Sequence, residues 1–143
     1  MAMWLFKQEP SCYSFGDLKR DRTTVWDGVS NSLALKNLGQ VGRNDRVFFY
    51  HTGKEKAIVG EMRVVGAGRT AVDGSNEKVV EVRYVRALPR PVTLAEIKAD
   101  KFLAGWDLIR LPRLSVLPVS EAQWRRVEEL SEKESKKAAS PIK

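Results

Sequence analysis

The stretch 79–85, Val-Val-Glu-Val-Arg-Tyr-Val, alternates apolar and polar side chains with period two, and no other feature of the chain constrains its fold as much. Side chains that change face at every residue suit a sheet buried on one side and wet on the other, the usual habit of antiparallel pairing. A second run, 57–65, is rich in β-branched residues and interrupted by Gly60, which predicts a bulge or a close backbone approach at that point. Shorter strands are expected at 3–6, stopped by Glu9-Pro10, at 46–50, and at 113–117, closed by Pro118. Polar loops fill 51–56 and 66–76.

Helices are signalled by their caps. Ser14 and Asp17 have capping-box spacing and open a short helix over 18–20; Thr93 and Glu96 repeat the pattern before a helix ending near Ala99. Residues 31–38 make a short helix ended by Gly39, and Ser120 with Gln123 starts a last helix carrying Trp124, Val127 and Leu130 on one face. With 143 residues, no repeat and no linker, the chain is expected to be a single α+β domain over 1–132. Its expected core is a small curled sheet or barrel flanked by short helices. The small, polar segment 133–143 is expected to be a disordered basic tail. Residues 1–6 are apolar, but Lys7 and Glu9 follow, so a strand is expected there rather than a secretory signal, and with it an intracellular protein. No window nears the roughly 18 apolar residues of a membrane helix, so no membrane partner is expected.

The formal charge of +7 includes only +2 from the tail after Leu130, which leaves the basic excess on the folded body, as in a polyanion binder. Cys12 is the only cysteine, which excludes an internal disulfide and a multi-cysteine zinc site; no metal or other cofactor is expected. Cys12 and His51 would make a catalytic pair only if the fold joined them, and nothing in the sequence does so. Phosphate loops, dinucleotide fingerprints, zinc-protease motifs and nucleophile elbows are all absent.

Three stretches are chemically suggestive. In Trp4-Leu-Phe-Lys7-Gln-Glu9-Pro10, a strand end is expected to present an indole face and an ammonium together; the bland alternative is a buried edge strand with a solvated lysine. Trp26 precedes Asp27-Gly28, expected to be a turn, so a loop tryptophan open to a ligand is one reading and core filler the other. Gly28 allows close backbone approach, and Ser30 or Asn31 can cap the next helix. The Asn31 carboxamide can also offer a donor and an acceptor to a base edge. Tyr50 and His51 end a strand and form a third candidate, with structural roles as the alternative, while Trp106 and Trp124 are assigned to packing.

At these segments the chain resembles the EVE-domain family. The resemblance rests on Trp4-Leu-Phe-Lys7-Gln-Glu9-Pro10, on Thr24-Val-Trp26-Asp27-Gly28-Val29-x-Asn31, on Asp45-Arg-Val-Phe-Phe-Tyr50-His51 and on Arg113-Leu-Ser115-Val-x-Pro118. Ile58-Val-Gly60 and Leu94-Ala-Glu-Ile97 extend it in family order over nearly the whole chain. It implies a PUA-like barrel related to the YTH readers of methylated adenine, and a non-catalytic module that binds a modified base of DNA or RNA. It also implies that Trp4, Lys7, Glu9, Trp26, Asp27, Gly28, Val29, Ser30, Asn31, Tyr50, His51, Arg113, Leu114 and Ser115 surround one pocket. The run Ser30-Asn31-Ser32-Leu33-Ala34-Leu35 departs from the family pattern, which carries a basic residue at position 30 and an arginine later in the run, and this implies either a wider pocket or a weaker phosphate contact. Two rival classes remain: a small hydrolase or nuclease acting on modified nucleosides through Lys7, Tyr50 and His51, and a protein-interaction module. The expected state is a monomer, cytoplasmic in a bacterium or nuclear in a eukaryote.

Overall fold

A computed structural model of the chain describes residues 2–26, 31–70 and 78–139. The elements in chain order are β1 (Met3–Gln8), α1 (Phe15–Asp21), β2 (Thr23–Trp26), α2 (Ser32–Leu38), β3 (Arg46–His51), β4 (Ala57–Thr70), β5 (Lys78–Thr93), α3 (Leu94–Ala99), α4 (Asp107–Arg110), β6 (Val116–Val119) and α5 (Glu121–Ala139). Six strands form one mixed sheet in the order β2-β5-β4-β3-β1-β6. All pairings are antiparallel except β1 with β3, where Lys7 lies opposite Tyr50.

The expected α+β class holds, but the sheet is not closed into a barrel, because β2 and β6 end the order without pairing to each other. It is nevertheless strongly curled. In a flat sheet β2 would stand about 19 Å from β1, four strand spacings away. The Trp26 ring instead lies 5.3 Å from Phe6 on β1 and 5.3 Å from Phe49 on β3. The inner face of the curl therefore holds an aromatic cluster of Phe6, Phe49, Trp26, Phe15 and Tyr84. Gly60 on β4 makes this packing possible, since Phe15 occupies the space that a side chain there would need. The β4–β5 register also shifts between Ile58 and Gly60, so both signals read from this glycine are present.

The outer face carries α5. Trp124 stacks on Phe48 with centroids 3.6 Å apart, and the Arg46 guanidinium covers the Trp124 ring at 4.5 Å. Beside it lies Glu61, 1% exposed, which accepts from Arg46 Nε at 2.8 Å and from Arg86 Nε at 3.0 Å. Arg86 also reaches Glu128 on α5 at 2.7 Å. One buried carboxylate thus joins three strands to the final helix, and two hydrogen-bonded cations offset its desolvation.

The capping boxes at Ser14 and Thr93 are both formed, and Ser120 and Gln123 exchange the same reciprocal bonds at the head of α5. Two expectations need correction. Trp26, for which a loop position was one reading, ends the strand β2, as the β-branched run before it and the ladder with β5 require. Pro118 lies inside β6 instead of closing it, which is tolerated because β6 is an edge. The last helix, α5, is described to Ala139; lengthening a helix through Glu, Lys and Ala needs no new nucleus.

Candidate nucleic-acid interface

Strand alternation distributes the candidate residues over two faces. Phe6 and Phe49 face inward with Trp26, so their neighbours Lys7 and Tyr50 face outward. Lys7 Nζ lies 5.5 Å from the Tyr50 ring and donates to the carbonyl of Pro112 at 2.9 Å. The Lys7 backbone N–H donates to the Ser115 carbonyl, also at 2.9 Å. One lysine therefore fastens the segment that follows α4 to β1 at two points. Burial pushes the Lys7 ammonium below the usual lysine range and pushes the Tyr50 phenol up to about 12.

That segment forms one wall of a cleft of about 280 Å3, lined by Asn31 and Leu33 from the start of α2 and by Arg110, Leu111, Pro112, Arg113 and Leu114. Asn31 Oδ1 accepts from the Ala34 N–H at 3.0 Å as the N-cap of α2, and the Nδ2 amide has no partner among the described residues. The cap and the base-reading roles are thus compatible, because each uses a different atom. Arg113 is exposed, and Arg110 is paired with Asp107 at 2.7 Å. Small-ligand pockets begin at roughly this volume, which suits a single base better than a folded nucleic acid.

The remaining candidates are placed elsewhere. Trp4 and Lys7 are three residues apart and so lie on opposite faces of β1, against the expectation that they act side by side. The Trp4 indole N–H donates to Asp45 Oδ2 at 2.9 Å. Asp45 also accepts from the N–H groups of Ala2 and Gly42, so Trp4 and Asp45 clamp the chain start to the turn before β3. Glu9 accepts from the Thr52 hydroxyl at 3.1 Å and ties the end of β1 to the β3–β4 turn.

Trp26 is 4% exposed and sits against two rings, as core filler would. Asp27, Gly28, Val29 and Ser30 lie outside the described residues. His51 Nε2 accepts from the Phe15 N–H at 3.0 Å, while Nδ1 faces Glu55 at 2.7 Å. These partners assign the proton to Nδ1 and commit both ring nitrogens; Cys12 is exposed on the loop before α1. Among the described residues no group of three His, Cys, Asp or Glu side chains has metal-binding geometry. The cleft residues missed in the sequence are Leu33, Arg110, Leu111 and Pro112. Arg110-Leu-Pro-Arg113, two cations around a helix-ending proline, was the available signal.

A curled mixed sheet with short helices, a basic body and a base-sized cleft beside a half-buried lysine defines a small ligand-binding domain of the PUA-like kind. The EVE domain family model matches residues 2–130, and the chain belongs to the EVE-domain family. Human thymocyte nuclear protein 1 is 30% identical over 92% of this chain and 74% of its own length. A solved protein of Agrobacterium tumefaciens superposes with a TM-score of 0.88 at 30% identity, covering 92% of this chain and 93% of its own. The human thymocyte nuclear protein 1 structure in complex with DNA containing 5-methylcytosine gives a TM-score of 0.83 at 29% identity, covering 92% and 98%.

Proposed function

We propose that this chain is a non-catalytic module that holds one modified base of a nucleic acid in the outer cleft, between Asn31 and the segment 110–115. The observation that carries the reading is the convergence there of a free Asn31 amide, an exposed Arg113 and the Lys7 clamp. The human relative in complex with 5-methylcytosine-containing DNA supports DNA as the nucleic acid and a modified base as the ligand. Asn31 Nδ2 would donate to the base edge, Leu33 and Leu114 would pack on its faces, and Arg113 would meet a flanking phosphate. Asp27, Gly28, Val29 and Ser30 join the site through the family motif. The buried aromatic cluster around Trp26 acts as the floor that fixes this segment's starting point. The module acts as a monomer wherever modified DNA or RNA is found, in the cytoplasm of a bacterium or the nucleus of a eukaryote. No described helix is long and apolar enough to cross a membrane.

Trp26→Ala is a poor test, because emptying so buried a site costs about 3–5 kcal/mol of stability. Asn31→Ser is better: serine caps a helix about as well as asparagine but lacks the amide. Wild type, Asn31→Ser and Arg113→Gln are compared for binding to oligonucleotides that carry single modified bases. The expected outcome is a preference for one modification in the wild type, reduced roughly tenfold in Asn31→Ser, as losing one hydrogen bond to a base implies. Equal wild-type affinity for every modified and unmodified oligonucleotide would remove the reading.

A further inference from the structure

Across the β3, β4 and β5 ladders Arg46, Arg63 and Arg83 stand in one row, with Thr23 of β2 next to Arg83. All three arginines project on the outer face, since Met62, Val64 and Val82 beside them are buried inward. Arg46 is neutralised by Glu61 and covers Trp124. Arg63 and Arg83 are not: among the described residues neither has a carboxylate partner, and the Arg63 Nε–H is buried with no acceptor. Arg22, exposed immediately before Thr23, has none either.

Arg20, Arg46, Arg86, Arg110, Arg125 and Arg126 all meet carboxylates at 3.2 Å or less. Arg43 and Arg113 share the lack of a carboxylate, but only Arg63 and Arg83 stand directly opposite each other in a ladder. Like charges directly opposite each other across a ladder weaken a sheet, and Gln or Thr would fill these positions without repulsion. Two uncompensated guanidinium groups directly opposite each other suit an external anion that accepts from the outer nitrogens of both.

We propose that Arg63 and Arg83 form a second contact surface on the outer face, which takes the phosphate backbone of the nucleic acid whose modified base enters the cleft. The surface reads no sequence; it supplies affinity and orientation, while the cleft supplies preference. This rests on the proposed function for the identity of the polyanion, but it makes a separate prediction.

The test measures binding of a plain duplex oligonucleotide, and of the same duplex with one 5-methylcytosine, at several salt concentrations. The proteins are wild type, the double variant Arg63→Gln/Arg83→Gln, and the charge-matched control Lys19→Gln/Lys54→Gln, which lies on α1 and the β3–β4 turn. In the arginine variant, affinity for both duplexes should fall roughly tenfold at low salt. The slope of log affinity against log salt should flatten by about 2, one phosphate contact per arginine. The ratio between the two duplexes should stay as in wild type, and the urea midpoint should hold or rise because the repulsion is relieved. An unchanged slope, or an equal loss in the lysine control, would overturn the proposal. If wild type shows no preference for the modified duplex but the slope still flattens in the arginine variant alone, the base reading fails and the phosphate surface stands.

Discussion

Gly60 leaves room for the Phe15 ring, and a Cβ built there would stand 2.1 Å from Phe15 Cζ. Gly60→Ala should therefore destabilise the protein by about 1–3 kcal/mol through overpacking. Phe15→Leu in the same chain should recover part of that loss, giving a non-additive double-mutant cycle in urea unfolding. Purely additive costs would show that the two groups do not compete for the space. This constraint was legible in the sequence, because a glycine inside a β-branched run has few other meanings. The expectation that Trp4 and Lys7 share a face fails although the sequence held the answer: an odd spacing on a strand cannot place two side chains on one face. The burial of Trp26 was less legible. A tryptophan before Asp-Gly looks exposed locally, and only the curl of the sheet brings Phe6 and Phe49 onto it.

The elements divide in the same way between local and distant causes. Capping boxes are complete within four residues, and all three predicted ones are formed. The extent of β4 and β5 depends on each other, so their continuation to Thr70 and Thr93 was not visible in either alone. The attachment of α5 also depends on distant partners. Glu61→Gln would leave Arg46 and Arg86 without their shared buried carboxylate and should cost about 3–5 kcal/mol. Glu128→Gln, at the partly exposed rim of the same network, should cost no more than about 1 kcal/mol. Urea midpoints of the two variants would decide, and equal losses would mean that Glu61 does not organise the network.

For the whole molecule, stability at alkaline pH follows from the two groups buried where the segment after α4 meets the sheet. Tyr50 titrates at about 12 in the fold and near 10.0 when unfolded. Between those values the unfolded chain has lost a proton that the fold retains, so stability falls as pH rises. Lys7 acts with the opposite sign below 10.5, because its ammonium is disfavoured in the fold and the unfolded chain holds the proton longer. Tyr50→Phe should thus make the loss of stability between pH 10.0 and about 12 shallower, as followed by urea midpoints across that range. An identical alkaline limb in the variant would refute the assignment. The α+β class could be anticipated from patterning and a polyanion partner from charge, while the modified base came only through the family resemblance; the open yet curled sheet could not be anticipated, because closure depends on which distant edges meet.

The placement of β1 also governs how the protein is born. It precedes every other strand of its sheet in the chain, yet its neighbours are β3 and β6, and Met3 waits for Val119 before its second edge is covered. Until β6 has been translated, the apolar Trp4-Leu-Phe6 segment has no completed place in the sheet. Nascent chains that stall early therefore expose a bare strand edge, and protection of this segment falls to the chaperones that meet it first.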